Sequence, residues 1–365
     1  MNARRRTLFS ASLAAVLLVG VADFGQQWDL SALPEYRPEH KISGVIRNFG
    51  TDFGGMLKTW EAGFQKYQPD ARFEDNLPTS DAAMGGLVAG VCDVAPSGRE
   101  ITINEYLSFF ETFNYYPLEL TVASGSFDVK GMSWGLVVFV HRDNPITKAT
   151  VTQLDGIFGS ERTGGWKGLA WSPEAARAAS GNIRRWGQLG LTGEWSDKPI
   201  DTYGYAPSGM RSFFELRVFQ GGNKWNPNYR EYVETGGREV AAGDRGPTLS
   251  IQHMLAELAN NRYGIAYTGM QYGRNVPEIK PIALSWKEEG PYVEPTKQNF
   301  QNRSYPLARS VYMFLNRPPG KPLDSKVEEF VKYILSRQGQ EDVARSGAYL
   351  PLPADAVHEQ LQKLR

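Results

Sequence analysis

Short polar residues stand directly before predicted helices at three places in the sequence. These are Thr51-Asp52, Ser80-Asp81 and Ser208-Gly209. A helix start presents unpaired backbone N–H groups and the positive end of the helix dipole, and hydroxyl groups add donors, so such a turn can bind an anion. The same residue types are the usual N-caps of helices that bind nothing. Three such turns on strand–helix units favour an anion site at the carboxyl ends of strands and leave plain capping open.

Other site chemistries find little support in the sequence. His40, His141, His253 and His358 are scattered without the spacing of metal ligands. The chain carries no Gly-x-Ser-x-Gly elbow, Walker loop or dinucleotide fingerprint. The sequence therefore predicts a binding protein rather than an enzyme, with no catalytic residues, no metal and no cofactor.

The elements that must position the three turns alternate along the chain. Apolar spacing predicts a helix over residues 53–67 after a short strand near residue 45, and a second helix over 83–88 followed by a strand over 91–95. The continuously apolar run 135–140 predicts a strand covered on both faces, and residues 200–203 precede another turn and helix. Alternating strands and helices predict an α/β fold with mostly parallel sheets flanked by helices.

The remaining regions are less regular or lie late in the chain. Residues 155–200 are rich in Gly, Trp and Arg and predict surface loops with one short helix. Later spacing predicts a helix over 251–258, strands over 263–267 and 311–315, and a final long helix that begins near Asp324.

Composition limits the class of protein. The 365 residues are too many for one ordinary core and suit two lobes, and the 41% hydrophobic content suits a packed globular protein. Forty Lys and Arg balance forty Asp and Glu, so no excess positive charge is available to attract nucleic acid or an anionic membrane.

The N-terminus has the order of a targeting segment. Arginines at positions 4–6 precede an apolar run over residues 8–21, which ends in small residues. A membrane anchor is the alternative, but the run is shorter than the roughly 20 residues of a span. We predict a signal peptide over residues 1–22, cleaved after Ala22, with the Sec and twin-arginine routes both open, and a linker over residues 23–40.

Cys92 is the one cysteine of the chain, so it has no intrachain disulfide partner. It lies well inside the sequence, where it cannot serve as a lipidated N-terminal residue. Its apolar neighbours predict a small buried strand residue.

Several collinear segments resemble one known family, the phosphate-binding periplasmic proteins, which have a type 2 periplasmic-binding-protein fold. The resemblance runs from about Ile42 to Pro353. It is carried by the segments IRNFGTDFGGMLKTWEAGFQKYQP, LVAGVCDVAPSGREIT, WGLVVFVHRDNPITKATVTQLDGIFG, PSGMRSFF, NNRYGIAYTGMQYG and YPLARSVYMFLNRPPGKPLD.

The resemblance implies two lobes with a ligand cleft between them. It places lobe 1 at residues 41–122 and 300–365 and lobe 2 at residues 123–299, joined by crossing segments near 119–130 and 285–305. It further implies an exported, periplasmic or secreted, monomeric receptor. This receptor would bind inorganic phosphate and deliver it to the membrane permease of an ABC importer when the lobes close.

The resemblance also assigns ligand-binding positions. Thr51, Ser80, Ser208 and Gly209 stand where the family places its phosphate-binding turns. Three other positions depart from the pattern, because Met210 replaces a threonine, Tyr205 stands where an arginine is common, and Gly98 replaces a serine. Each change removes a donor or a charge, and losing a hydrogen bond to an anion costs about 1.5 to 3 kcal/mol.

Nearby side chains are candidate substitutes for the missing donors. Arg99, Arg211, Ser97 and Tyr205 lie beside the predicted turns, although an arginine near a helix start is normally solvated and Arg211 can point outward. Asp52 and Asp81 are either caps or acceptors for the proton of a protonated phosphate, which a fully ionised sulfate lacks. The ligand-binding candidates are thus Thr51, Asp52, Ser80, Asp81, Ser97, Arg99, Tyr205, Ser208, Gly209, Met210 and Arg211.

Three alternatives stay open at this point. The departures favour a receptor for another oxyanion or a small anionic metabolite. A phosphate-ester hydrolase on the same scaffold would need an activated nucleophile that the sequence does not show. A sensor or adhesion protein without a transporter is the third.

Overall fold

The computed structural model describes residues 28–233 and 250–365. The predicted signal peptide over residues 1–22 lies outside the described residues. The strands, in chain order, are β1 Gly44–Phe49, β2 Ala71–Asn76, β3 Ala95–Ser97, β4 Leu118–Ser124, β5 Val137–His141, β6 Lys148–Thr150, β7 Gly165–Lys167, β8 Ala170–Ser172, β9 Asp201–Tyr205, β10 Arg230–Tyr232, β11 Gly264–Thr268, β12 Ile279–Pro281, β13 Ala283–Ser285 and β14 Ser310–Leu315.

The α-helices flank these strands. They are α1 Met56–Gln65, α2 Ala83–Val88, α3 Ile103–Phe113, α4 Val151–Phe158, α5 Gly209–Val218, α6 Ile251–Asn260, α7 Met270–Gly273, α8 Lys297–Gln301, α9 Ser325–Ile334, α10 Arg337–Ser346 and α11 Ala354–Gln362.

A two-stranded sheet and a three-stranded sheet, joined by one bridge, together form the first sheet, which has both parallel and antiparallel pairs. Strands β1 and β2 pair in parallel, and β14 pairs antiparallel with both β3 and β4. A parallel bridge between Asn48 and Val94 connects the two parts. Strand β14 thus comes from the end of the chain and lies between two early strands.

The second sheet has the order β10-β9-β11-β5-β12. Its first three strands are parallel, and β5 is antiparallel to both of its neighbours. Every residue of β5 is buried, as the apolar run 135–140 predicts. The predicted α/β fold with helix-flanked sheets is confirmed. A separate pair, β6 and β13, is parallel, whereas both of the larger sheets also contain antiparallel pairs.

The two largest hydrophobic clusters lie one against each of these two sheets, so the molecule has two lobes. Trp60, Phe64 and Phe330 belong to the core of the first lobe, whereas Phe139 and Tyr267 belong to the core of the second. The β4–β5 connection and the segment before β14 lie side by side where the chain passes between the lobes. Their backbones are joined by bonds from Gly125 N to Arg309 O at 2.7 Å and from Leu136 N to Leu307 O at 3.0 Å.

Some of the predicted helices and strands differ from those in the structure. The expected short helix after residue 155 is the end of α4, and the rest of 159–200 forms the β7–β8 hairpin and short 3₁₀ turns. The strand predicted over 91–95 is wrong, because β3 begins at Ala95, although Cys92 is buried as predicted. The helix predicted from Asp324 is confirmed as α9, which Asp324 caps, but it is not the final one: α10, capped by Ser336, whose side chain accepts from Gly339 N, and α11 follow it.

The described part of the predicted linker lies on the first lobe. Leu33 and Tyr36 are buried, and the Tyr36 hydroxyl donates to Glu329 at 2.6 Å. Among residues 28–233 and 250–365, no helix has the length and apolar character needed to cross a membrane.

Candidate functional site

The first polar turn connects β1 to α1. Gly50 passes so close to Pro96 that a Cβ atom there would lie 2.1 Å from the Pro96 carbonyl oxygen, and Thr51 N donates to the same oxygen at 3.0 Å. The Asp52 carboxylate accepts from the backbone N–H two residues later at 2.8 Å. The expected N-cap role of Thr51 and Asp52 is wrong, because the N-cap of α1 is Gly55, without a side-chain bond.

The second polar turn is tied to the loop after β3. Thr79, one residue earlier than predicted, caps a short 3₁₀ turn over Ser80–Ala82 that leads into α2. The Ser80 hydroxyl accepts from Gly98 N at 2.9 Å, and Asp81 accepts from Arg99 Nε at 2.6 Å. Both predicted side chains therefore position the neighbouring loop.

Arg99 is held by the first lobe on several sides. Its guanidinium group contacts Asp81, both carboxylate oxygens of Glu105 at 2.9 and 3.0 Å, and the Glu100 carbonyl at 2.9 Å. Burial disfavours its charge, but the two carboxylates hold the pKa of Arg99 above its usual value. The buried Ser97 hydroxyl bonds the backbone of Arg99.

Gly98 lies close to the Ser133 side chain, which would have to turn away to admit a larger residue. A Cβ atom at this position would lie 2.1 Å from the Ser133 hydroxyl oxygen. Ser133 follows the crossing from the first lobe, so this close approach brings the β3 loop against the connection between the lobes.

The third polar turn begins α5 in the second lobe. Ser208 is the N-cap, as predicted, and its hydroxyl accepts from Arg211 N at 3.4 Å. Ser208 is exposed, and the carbonyl of the adjacent Gly209 accepts from Arg309 Nη2 at 3.3 Å. This turn thus faces the other lobe.

Arg211 lies within α5 and contacts its own lobe. It pairs with Glu215 at 3.1 Å and with Glu231, and its guanidinium lies 4.7 Å from the Trp225 ring centroid. These two carboxylates hold the pKa of Arg211 above its usual value despite burial.

Tyr205 and Met210 also lie mainly within the second lobe. Tyr205 is fully buried, and its hydroxyl shares a 2.8 Å hydrogen bond with Thr268. Met210 packs against the second core, and its sulfur accepts from Arg309 Nη1 at 3.6 Å. The structure therefore places Met210 at the border between the lobes and Tyr205 inside the core of the second lobe.

Arg309 is a functional candidate that the sequence reasoning missed. Its side chain is only 2% exposed, and it bonds Glu100 Oε2 through Nε at 3.1 Å and Nη2 at 3.0 Å. It also contacts Gly209 O and lies 5.0 Å from the Phe213 ring centroid. Tyr312 donates to the other Glu100 oxygen at 3.1 Å. An arginine inside the buried run YPLARSVYMF was the signal available in the sequence.

A cavity of about 880 Å³ lies between the lobes beside these groups. Four predicted residues line it: Asp81, Arg99, Ser208 and Gly209. Thr51, Asp52, Ser80, Ser97, Tyr205, Met210 and Arg211 are not among its lining residues. Their assignment to a ligand stays a prediction.

The electrostatics of the cavity depend on paired charges. Arg99 and Arg309 line it, and each already contacts a carboxylate of the first lobe. An anion would therefore meet helix-start N–H groups, the Ser208 hydroxyl and guanidinium groups held in place by Asp81, Glu105 and Glu100. Such fixed dipoles and charges can hold an oxyanion without rearrangement.

Within the described part of the chain, one group of potential metal ligands occurs, and it lies outside the cavity. Oxygen and nitrogen atoms of Glu39, His40 and Glu329 lie within 4.8 Å of one another. Glu329 is already used, because it accepts from the Tyr36 hydroxyl and from the backbone N–H groups of Glu39 and His40. This cluster therefore anchors the N-terminal segment to α9.

Relatives of the chain are named for phosphate binding. It is 29% identical over 360 residues to the phosphate-binding protein PstS of Pseudomonas aeruginosa, covering 98% of this chain and 96% of that one. It is 24% identical over 304 residues to PstS of Staphylococcus epidermidis, covering 82% and 76%. The predicted resemblance to phosphate-binding proteins is confirmed.

Solved structures show the same fold. PstS of Borrelia burgdorferi matches with a TM-score of 0.53 at 17% identity, covering 85% of this chain and all of that chain. A phosphate transport receptor of Vibrio cholerae matches with a TM-score of 0.51 at 19% identity, covering 84% and 100%. The family model of the PBP superfamily domain matches residues 50–338. Because this match covers most of the chain, the chain belongs to the PBP superfamily.

Proposed function

We propose that this protein is the extracytoplasmic receptor of an ABC importer and that it binds inorganic phosphate between its lobes. The observation that carries the proposal is the cavity in which Ser208 and Gly209, at the start of α5, face Arg309 and Arg99. A helix N-terminus and guanidinium groups are the donors that a phosphate group prefers. The names of the PstS relatives support the same ligand.

The ligand would connect the two lobes. Ser208 and Gly209 belong to the second lobe, whereas Asp81 and Arg99 belong to the first, so one anion can contact both. A ligand that contacts both lobes stabilises the closed form, which a membrane permease would recognise. We further propose that Thr51, Asp52, Ser80 and Ser97 support the loops on the first-lobe side, with lobe boundaries near residues 122 and 300.

A binding role fits the site better than hydrolysis. The Ser208 hydroxyl accepts a bond from Arg211 N, and in the described part of the chain no histidine or carboxylate bonds it. An activated nucleophile would need such a base.

The protein would act as an exported monomer in the periplasm or outside the cell, after cleavage near Ala22.

Calorimetry with phosphate, arsenate and sulfate tests the proposal. Saturable phosphate binding with little sulfate binding supports it, whereas equal binding of sulfate or no binding of either contradicts phosphate as the ligand.

Small-angle scattering with saturating phosphate should show a smaller radius of gyration, and an unchanged radius would contradict closure. Mass spectrometry of the protein from its native host should show loss of about 22 residues, as the order of the N-terminal segment predicts.

A further inference from the structure

The cavity beside the proposed phosphate site extends well beyond the polar turns. Its volume of about 880 Å³ falls in the range of pockets that hold organic ligands, which is roughly 300–1,000 Å³. Along α5 the lining residues are Gly209, Ser212, Phe213 and Leu216, which form one helix face. At a rise of 1.5 Å per residue this face is about 10 Å long, which is longer than a single tetrahedral oxyanion.

Large apolar side chains line this extension from both lobes. Tyr106 and Tyr116 contribute from the first lobe, and Trp166 and Leu216 from the second. Tyr116 is 43% exposed and Leu216 is 40% exposed, so both side chains are open to the cavity. Apolar surface left open inside a cleft is typical of a ligand site.

Glu119 adds an unneutralised negative charge to the same cavity. Its carboxylate accepts from the Tyr106 hydroxyl at 2.6 Å and takes part in no ion pair among the described residues. Lys363 bonds the backbone carbonyl of Glu119, not its carboxylate. The other lining carboxylates, Asp81, Glu100 and Glu215, each contact an arginine.

The register of the first sheet places Glu119 near the polar end of the cavity. Glu119 is opposite Phe314 on β14, and Tyr312, two residues earlier on the same face, donates to Glu100 beside Arg309. Two residues along a strand span about 7 Å. A carboxylate bonded to Tyr106, whose ring centroid lies 6.2 Å from that of Tyr116, is thus a short molecular length from the proposed phosphate donors.

We propose that the cleft also binds phosphate monoesters whose short substituent carries an ammonium group, with that group held by Glu119, Tyr106 and Tyr116. This proposal rests on the proposed function, because the phosphate group would occupy the Ser208 turn. Aromatic faces and a carboxylate together attract alkylammonium groups. Arg217, the next cation along α5, lies over Phe213 and Trp286 and does not line the cavity.

Calorimetry with three probes tests the proposal: inorganic phosphate, phosphocholine and 3,3-dimethylbutyl phosphate, in which a carbon atom replaces the quaternary nitrogen. Phosphocholine should bind about tenfold more tightly than its uncharged isostere, which corresponds to about 1.4 kcal/mol. Equal binding of these two esters, or tighter binding of the isostere, overturns the proposal. Failure of all three probes overturns the proposed function itself, whereas phosphate binding without ester binding overturns only this inference.

Variants separate an ammonium site from a contact that simply forms when the lobes close. Glu119→Gln should weaken phosphocholine binding about tenfold and leave the affinity for phosphate within about twofold. The matched control Glu111→Gln removes an exposed carboxylate on α3 outside the cavity and should change neither. Tyr116→Leu, at a partly exposed position, should also weaken phosphocholine binding selectively if Glu119→Gln fails to fold. If Glu119→Gln lost equal affinity for phosphate and for phosphocholine, Glu119 would act only in closing the lobes, and the proposal would be overturned.

Discussion

Arg309 and Glu100 form a buried ion pair at the border of the two lobes. Arg309 Nε and Nη2 both contact Glu100 Oε2, at 3.1 and 3.0 Å, and Arg309 also reaches the Gly209 carbonyl of the second lobe. The arginine side chain is 2% exposed and that of Glu100 is 17% exposed. One side chain thus connects the β3 loop, the segment before β14 and the start of α5.

Removing one partner of this pair should destabilise the protein. Arg309→Met leaves the Glu100 carboxylate without its cation in a buried site, so the free energy of unfolding should fall by about 3 kcal/mol. The double variant Arg309→Met/Glu100→Gln removes the unpaired charge and should recover part of that loss. Urea unfolding of the wild type, the two single variants and the double variant measures the coupling. Additive losses would show that the pair does not act as a unit.

The Ser208 turn should contribute directly to anion binding. Ser208→Ala should weaken phosphate binding by about 1 to 3 kcal/mol, the range for a hydrogen bond to a charged group. Ser250→Ala is a matched control, because Ser250 caps α6 through a 3.4 Å bond from His253 N, the same length as the Ser208 bond. The control should cost helix stability of about 1 kcal/mol and leave phosphate binding unchanged. Full-strength binding by Ser208→Ala would remove this turn from the site.

Met210 tests whether the site is a weakened phosphate site. Met210→Thr introduces a hydroxyl beside Gly209 and removes the sulfur that Arg309 Nη1 contacts at 3.6 Å. Phosphate binding should strengthen, because a donor and a freed guanidinium N–H become available to the anion. Calorimetry measures the change, and thermal unfolding accounts for the packing lost against the second core. Weaker phosphate binding by a stable variant would show that methionine itself suits the ligand.

Glu61 should make stability depend on pH. Burial raises its pKa from 4.5 to about 7, while Lys58 at 3.0 Å opposes the shift and the nearby Asp75 adds to it. A raised carboxyl pKa means that the folded state binds the proton more tightly, so this stabilisation is present below pH 4.5 and is lost as the pH rises to about 7. The loss should be up to about 3 kcal/mol, at 1.36 kcal/mol per pKa unit.

Glu61→Gln should remove most of this pH dependence and stabilise the protein near pH 8. Urea unfolding at intervals between pH 4.5 and 8 measures it, with Glu111→Gln as the control at an exposed position. A pH profile that is the same in Glu61→Gln and in the wild type would contradict the role of Glu61.

Cys92 should be chemically inert in the folded protein. Burial raises the pKa of its thiol to about 12, and the thiolate is the reactive form. A thiol reagent at pH 8 should label it only in denaturant. The matched control is Val91→Cys in a Cys92→Ala background, because the neighbouring Val91 is 50% exposed and a thiol there should react in the folded state. Rapid labelling of native Cys92 would contradict its burial.

The fold class could be predicted from the sequence because it depends on local patterns. The apolar run 135–140 predicts a strand covered on both faces, and β5 is fully buried. Helical spacing after Ser208 predicts α5, and Ser208 is its N-cap. Such patterns report which face of an element is buried, and they are visible without knowledge of its neighbours.

Helix boundaries were less predictable, because a polar residue can stabilise a turn without capping a helix. Asp52 bonds the backbone N–H two residues later, and α1 begins only after Gly55. Thr79 rather than Ser80 is the cap at the second turn, which leaves the Ser80 hydroxyl free to accept from Gly98 N. Choosing between neighbouring hydroxyls requires the position of the adjacent loop.

By itself, the sequence determined several strand–helix units, the buried strand β5 and the positions of the polar turns, since these follow from residue type and spacing. Only the tertiary structure decided which side chains meet. Arg309 is 209 residues from Glu100 and 100 from Gly209, yet it contacts both, because β14 returns from the end of the chain to lie between early strands. Tyr205 lies behind the cleft because strand register turned its side chain toward Thr268. Contacts between distant residues depend on this register, which local spacing does not encode.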